Sequence, residues 1–177
     1  ADHYPDEWTA YVDHIRTTSQ DWNREQHNLL GAYQDRLLNP DQRMEAAKAF
    51  VAYELSVSHL HRNEERIESV MATPEVLVPF AALEVHYMLN AGFMRRGQLL
   101  DDVGKIKDHR IHIVHGRNDS VCLPRAAARL RTALLGAGAS ANVTLEYIEA
   151  AGHSDSEPPI AKALRQATDT LAHEASK

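Results

Sequence analysis

The chain has 177 residues, enough for one domain or two small lobes. Its 44% hydrophobic and 25% charged residues are ordinary for a globular protein, and a net charge of −6 gives no basis for binding nucleic acid or an anionic membrane. A single Cys122 excludes an internal disulfide and points to a reducing, cytoplasmic setting, while no apolar run approaches the roughly 20 residues of a membrane span.

In chain order, Ala1-Asp2-His3-Tyr4-Pro5-Asp6 lacks the apolar core of a signal peptide and an initiator Met, so processing or truncation is an open expectation. Pro5-Asp6-Glu7-Trp8 reads as a helix start with acidic residues in its first turn. A second helix is expected from near Ser19 to Leu38, stopped by Asn39-Pro40. Asp41 is placed to cap a third, whose stripe is Met44, Ala47, Val51 and Leu55. Residues 62–73 read as a polar loop or short helix. Thr73-Pro74-Glu75 opens a fourth helix, with Leu77, Phe80, Ala81 and Met88 on one face, and Asn90-Ala91-Gly92-Phe93 ends it.

The pattern changes after Lys107. Ile111-His112-Ile113-Val114 reads as a strand ended by Gly116, Pro124 to Leu135 as a helix, Asn142 to Ile148 as a second strand, and Pro158 to His173 as a closing helix with Ile160, Ala163, Leu164, Ala167 and Leu171 on one side. The division is therefore a helical lobe and connecting helix over residues 1–107, then a strand–helix–strand–helix segment over 108–177. That alternation implies an α/β class with parallel pairing and a right-handed crossover. Two parallel strands are too few for a buried sheet, so further strands are expected outside this sequence.

Two motifs carry chemistry. Gly116-Arg117-Asn118-Asp119 follows the first strand and Ala151-Gly152-His153-Ser154 the second. An acid after one strand and a histidine after a later one is the order of an α/β-hydrolase triad, at the strand ends where open α/β sheets place their sites. Each motif alone is a common turn or loop; order and context together favour Asp119 and His153 as triad acid and base. No Gly-x-Ser-x-Gly occurs in the sequence. Ser154 and Ser156 stand on no strand–helix elbow, and Cys122 follows the acid loop rather than opening a helix after a strand, so none of the three reads as a nucleophile. Eleven histidines raise the question of a metal, with His59/His61 and His109/His112/His115 the closest sets. No Cys or carboxylate stands at a zinc-like spacing, and alternation points His112 and His115 to opposite faces, so no metal and no cofactor is expected.

The segment Gly116-Arg117-Asn118-Asp119-Ser120-Val121-Cys122-Leu123-Pro124 resembles the acid loop of the proline iminopeptidases, prolyl aminopeptidases of the α/β-hydrolase fold. Ala151-Gly152-His153-Ser154-Asp155-Ser156-Glu157-Pro158 resembles the family's histidine loop, and Leu83-Glu84-Val85-His86-Tyr87-Met88-Leu89-Asn90-Ala91-Gly92-Phe93 a stretch of its cap. Tyr4-Pro5-Asp6-Glu7-Trp8 is similar to the start of that cap, so the resemblance runs over nearly the whole chain. Asn118 stands where the family commonly has Tyr, Tyr53 where it has Trp, and Met88 where it has Phe.

The resemblance implies release of N-terminal proline from peptides through an acyl-enzyme, with cap carboxylates binding the substrate's α-ammonium group. Glu84, and Glu54 after Tyr53, match those carboxylates. The residues themselves leave alternatives open. Glu84 lies within its helix's apolar stripe and Glu54 on the flank of its own, where a carboxylate needs a partner: a substrate amine, an internal Arg or Lys, or the Tyr87 hydroxyl. The chain thus reads as the cap and C-terminal half of an α/β-hydrolase. The expected partners are a peptide with a free N-terminal proline and an N-terminal half carrying the serine and oxyanion hole, and oligomerisation is a further possibility. Alone it is expected to be inactive and to expose a sheet edge. The alternatives are a non-catalytic, hydrolase-derived structural subunit and a fragment of a related esterase or epoxide hydrolase.

Overall fold

The computed structural model describes residues 3–139 and 143–175. The chain forms two units: residues up to Val57 with Arg62–Arg95, and Ser58–His61 with the residues from Arg96 onward.

The first unit is helical. Helix α1 (Pro5–Thr18) starts on proline, with Asp6 and Glu7 at its positive end. The single helix expected from Ser19 to Leu38 is instead two, α2 (Trp22–Glu25) and α3 (Leu29–Leu38). Asn28 makes the break: its side chain accepts the Gly31 N–H at 3.1 Å, a local bond that competes with continued helix and caps α3. Asp21 caps α2 in the same way. Asp41 does not cap α4 (Arg43–Ser58). Asn39 organises that entry, taking the Asp41 N–H on its side chain and the Gln42 and Arg43 N–H groups on its carbonyl. Helix α5 (Glu64–Met71) is capped by Asn63, and α6 (Pro74–Leu89) opens at Thr73-Pro74. It ends where Ala91, Gly92 and Phe93 take φ of 50°, 62° and 59°.

The core of this unit is Tyr11, Ile15, Tyr33, Phe50, Val51, Leu77, Ala81 and Val85, drawn from α1, α3, α4 and α6. The α4 stripe is buried at Ala47, Val51 and Leu55, and the α6 stripe at Leu77 and Ala81; Met88, expected on the same face, is exposed. The Tyr33 hydroxyl donates to the Tyr11 carbonyl at 2.7 Å, which satisfies the one polar atom of a fully buried ring. Arg36 is also buried. It meets Glu25 at 2.7 Å and donates to Thr18 Oγ1 and the Ala32 carbonyl, so one guanidinium ties α1, α2 and α3 together.

The second unit holds a short α7 (Gln98–Asp101), a 3-10 turn at Val103–Lys105, β1 (Ile111–Gly116), α8 (Arg125–Gly136), β2 (Val143–Ile148) and α9 (Pro158–Ala175). The two strands pair in parallel from Ile111 opposite Val143 to Gly116 opposite Ile148. Asn142, expected as the first residue of β2, lies outside the described residues. Val103, Leu134, Ala139 and Val143 form the small core, with Ile111, Ile113 and Leu130 against it. Among the described residues, each strand pairs only with the other. No single helix among them is long and apolar enough to cross a membrane. This is the C-terminal portion of an α/β-hydrolase architecture, with helices before it.

Candidate active site

Parallel pairing decides where the two loops meet. Because Gly116 stands opposite Ile148, the chain leaves both strands at the same end. Asp119 comes three residues later on one loop and His153 five residues later on the other. Their side chains meet with His153 Nδ1 at 3.0 Å from Asp119 Oδ2. An ionised carboxylate only accepts, so the hydrogen sits on Nδ1 and leaves Nε2 as the basic nitrogen. Asp119 is 4% exposed, whereas the His153 side chain is 38% exposed. A buried acid fixing an accessible imidazole is the arrangement that general-base chemistry on a hydroxyl requires.

The acid is held by its own loop. Asp119 Oδ1 accepts the N–H groups of Val121 at 2.9 Å and Cys122 at 2.8 Å. His115 adds a further contact: its Nε2 donates to the Cys122 carbonyl at 2.8 Å and lies 3.4 Å from Asp119 Oδ2. Burial, then the Asp119 charge, push the Cys122 thiol up, which is opposite to what a nucleophilic cysteine needs.

The histidine loop packs against the end of β1. A Cβ on Gly116 would stand 1.9 Å from the Gly152 carbonyl oxygen, so only glycine permits this approach. The Asn118 N–H also donates to the Ala151 carbonyl at 2.9 Å.

In the first unit, Glu54 of α4 and Glu84 of α6 are each partly buried. Burial first, and then the Glu84 charge, push the Glu54 carboxyl up to about 7. Trp8, Tyr11 and Tyr53 cluster in the same unit, with ring centroids 4.9–5.7 Å apart. Burial also raises the hydroxyls of Tyr11 and Tyr53, with the Glu54 charge the next contribution in each. A buried carboxyl pushed up by burial and by a second acid would be relieved by a nearby cation.

No family model matches the chain. Among curated proteins it is 35% identical over 172 residues to a proline iminopeptidase of Xanthomonas citri, covering 96% of this chain and 51% of that protein. A proline iminopeptidase of Xylella fastidiosa (strain Temecula1) is 35% identical over 95% of this chain and 50% of its own length. One from Arabidopsis thaliana is 32% identical over 95% and 42%. Over nearly its whole length the chain is similar to proline iminopeptidases. It spans about half the length of the curated relatives that it matches.

The site has features around it that its motifs did not announce. The turn Ser58–His61 is distant in sequence yet forms part of the second unit. The Ser58 carbonyl accepts the N–H groups of both His153 and Ser154, at 3.0 and 2.8 Å. His59, first considered as a metal ligand, is buried between the hydroxyls of Ser58 and Ser156. Ser154 and Ser156 bond to each other at 2.7 Å. His112 bonds to Thr144. Among the described residues, no group of three or more His, Cys, Asp or Glu side chains converges as a metal would require. The turn at Ser58 has no sequence signature: its role comes from backbone groups, which any residue supplies.

Proposed function

We propose that this chain is the cap and C-terminal part of a serine aminopeptidase that releases N-terminal proline from peptides. Asp119 orients His153, and His153 Nε2 takes the proton of a serine hydroxyl as that oxygen attacks the prolyl carbonyl. The imidazolium then returns the proton to the leaving amine, and a water repeats the cycle on the acyl-enzyme. The serine and oxyanion hole come from an N-terminal half bearing a Gly-x-Ser-x-Gly elbow, and the chain alone is inactive. Glu84 and Glu54 receive the substrate's α-ammonium group, which selects a free N-terminus. The observation that carries this reading is the 3.0 Å contact of a buried Asp119 with an accessible His153, in a chain similar to proline iminopeptidases.

The edge of β1 not used by β2 supports a second half. An apolar pocket of about 380 Å³ is lined by Ile113 of β1, Leu99 and Leu100 of α7, and Ala126, Ala127 and Leu130 of α8. A parallel strand with one open edge is a surface that natural folds cover. The test is hydrolysis of an L-prolyl anilide by this chain with and without the N-terminal half of the same protein. Activity is expected only with both, and Glu84→Gln should raise KM at least about tenfold, the loss of one charged contact. No turnover by the joined halves would favour a structural subunit. Turnover of simple esters with no preference for a free amine, unchanged in Glu84→Gln, would favour an esterase.

A further inference from the structure

Glu157, immediately before α9, is 8% exposed, and it belongs to neither the acid–base pair nor the amine site. Its two oxygens accept from two different stretches of chain. Oε1 takes the Gly152 N–H at 2.8 Å, one residue before His153. Oε2 takes the Leu60 N–H at 3.3 Å, two residues after the Ser58 carbonyl that holds the His153 and Ser154 amides. Gly152 lies hard against the same turn, where a Cβ would stand 2.7 Å from the Leu60 nitrogen. One carboxylate therefore bridges the loop and the turn that the loop rests on.

A buried carboxylate is costly to keep unless its oxygens are used. A residue that merely filled space here could be apolar. Both oxygens are instead spent on backbone donors, one next to His153 and one on the turn that its loop rests on. We propose that Glu157 is a positioning residue for His153: by clamping Gly152 to Leu60 it sets the height and direction at which the imidazole meets Asp119. The inference deepens the aminopeptidase reading and rests on it for kcat alone, since the effect on the imidazole is a property of this chain.

The decisive measurement is the tautomer of His153, read from imidazole ¹⁵N shifts in the 177-residue chain. Glu157→Gln keeps size and one acceptor oxygen but turns an amide donor toward one of the two N–H groups. Glu157→Ala removes both acceptors. The Nδ1–H form should dominate in the parent. Its ratio to the Nε2–H form should fall about tenfold in Glu157→Ala and by a smaller factor in Glu157→Gln, the scale at which supporting hydrogen bonds act on a histidine's function. The surface variant Glu149→Gln should leave the ratio unchanged. Should Glu157→Ala fail to fold, Glu157→Gln decides alone. A parental ratio in every folded Glu157 variant overturns the proposal. In the enzyme with both halves, Glu157→Gln should lower kcat with KM within about twofold. Failure of the parent enzyme to release proline would count against the proposed function and leave the tautomer result standing.

Discussion

Glu84 on α6 suppresses the ionisation of Glu54 on α4, adding its negative charge to the effect of burial. The fold therefore tolerates this pair best when one member is protonated or a cation is present.

The sign of the resulting pH dependence follows from linkage. The folded value of Glu54, about 7, stands above the ordinary 4.5, so the fold favours the protonated carboxyl. The contribution to stability is fully present below about pH 4.5 and is lost as pH rises towards 7. At about 1.4 kcal/mol per pH unit, the loss is at most on the order of 3 kcal/mol. Glu54→Gln should be near-neutral at pH 5 and stabilising at pH 8, measured as urea midpoints at both values. Parallel midpoints across that range would remove the buried-acid account.

Asp119→Asn keeps the shape of the acid and changes what it accepts. An amide nitrogen facing His153 Nδ1 favours the wrong tautomer, and in serine proteases the equivalent loss is about 10⁴ in turnover. The same order is expected here in the enzyme with both halves, with the anilide assay as readout. A fall smaller than about tenfold would mean that Asp119 is not the orienting acid.

Gly116→Ala tests the close packing of the two loops. The new Cβ would meet the Gly152 and Ala151 carbonyl oxygens at 1.9 and 2.7 Å, both backbone atoms that cannot swing aside. The histidine loop must move, at a cost of about 1–3 kcal/mol by analogy with overpacked cores. Denaturant unfolding would show the loss, and the His153–Asp119 bond should lengthen.

Arg36→Ala should be among the most damaging changes in the helical unit. It leaves the Glu25 carboxylate and the Ala32 carbonyl without their guanidinium, and removing one partner of a buried pair costs about 3–5 kcal/mol. The unfolding midpoint should drop accordingly, while Arg16→Ala, whose pair with Asp13 is exposed, should cost under about 1 kcal/mol.

Much of the architecture was legible because it rests on periodicity and order. The strands and closing helix follow from β-branched runs and apolar spacing, and parallel pairing then brings Asp119 to His153. What escaped the sequence depends on single hydrogen bonds. The break between α2 and α3 turns on the Asn28 side chain finding the Gly31 amide, and Asn39 rather than Asp41 organises the start of α4. Asn and Asp favour both positions almost equally, so their types alone did not separate them. Arg36 sits beside Leu37 and looks like a surface cation until Glu25 and Thr18 are folded onto it. The joint effect of Glu84 on Glu54 needs two helices packed together, a relationship that no spacing along one helix encodes.

The turn at Ser58–His61 bears on how this protein can be divided. A piece cut to begin at Arg96 would retain both strands, α8, α9, Asp119 and His153, and on paper would hold the whole acid–base pair. It would lack the Ser58 carbonyl and the Leu60 amide, which lie far upstream in sequence yet support the loop bearing His153. The footing of His153 is thus discontinuous along the chain: its backbone is fastened to residues that precede α5 and α6, and excision at the visible boundary would detach it.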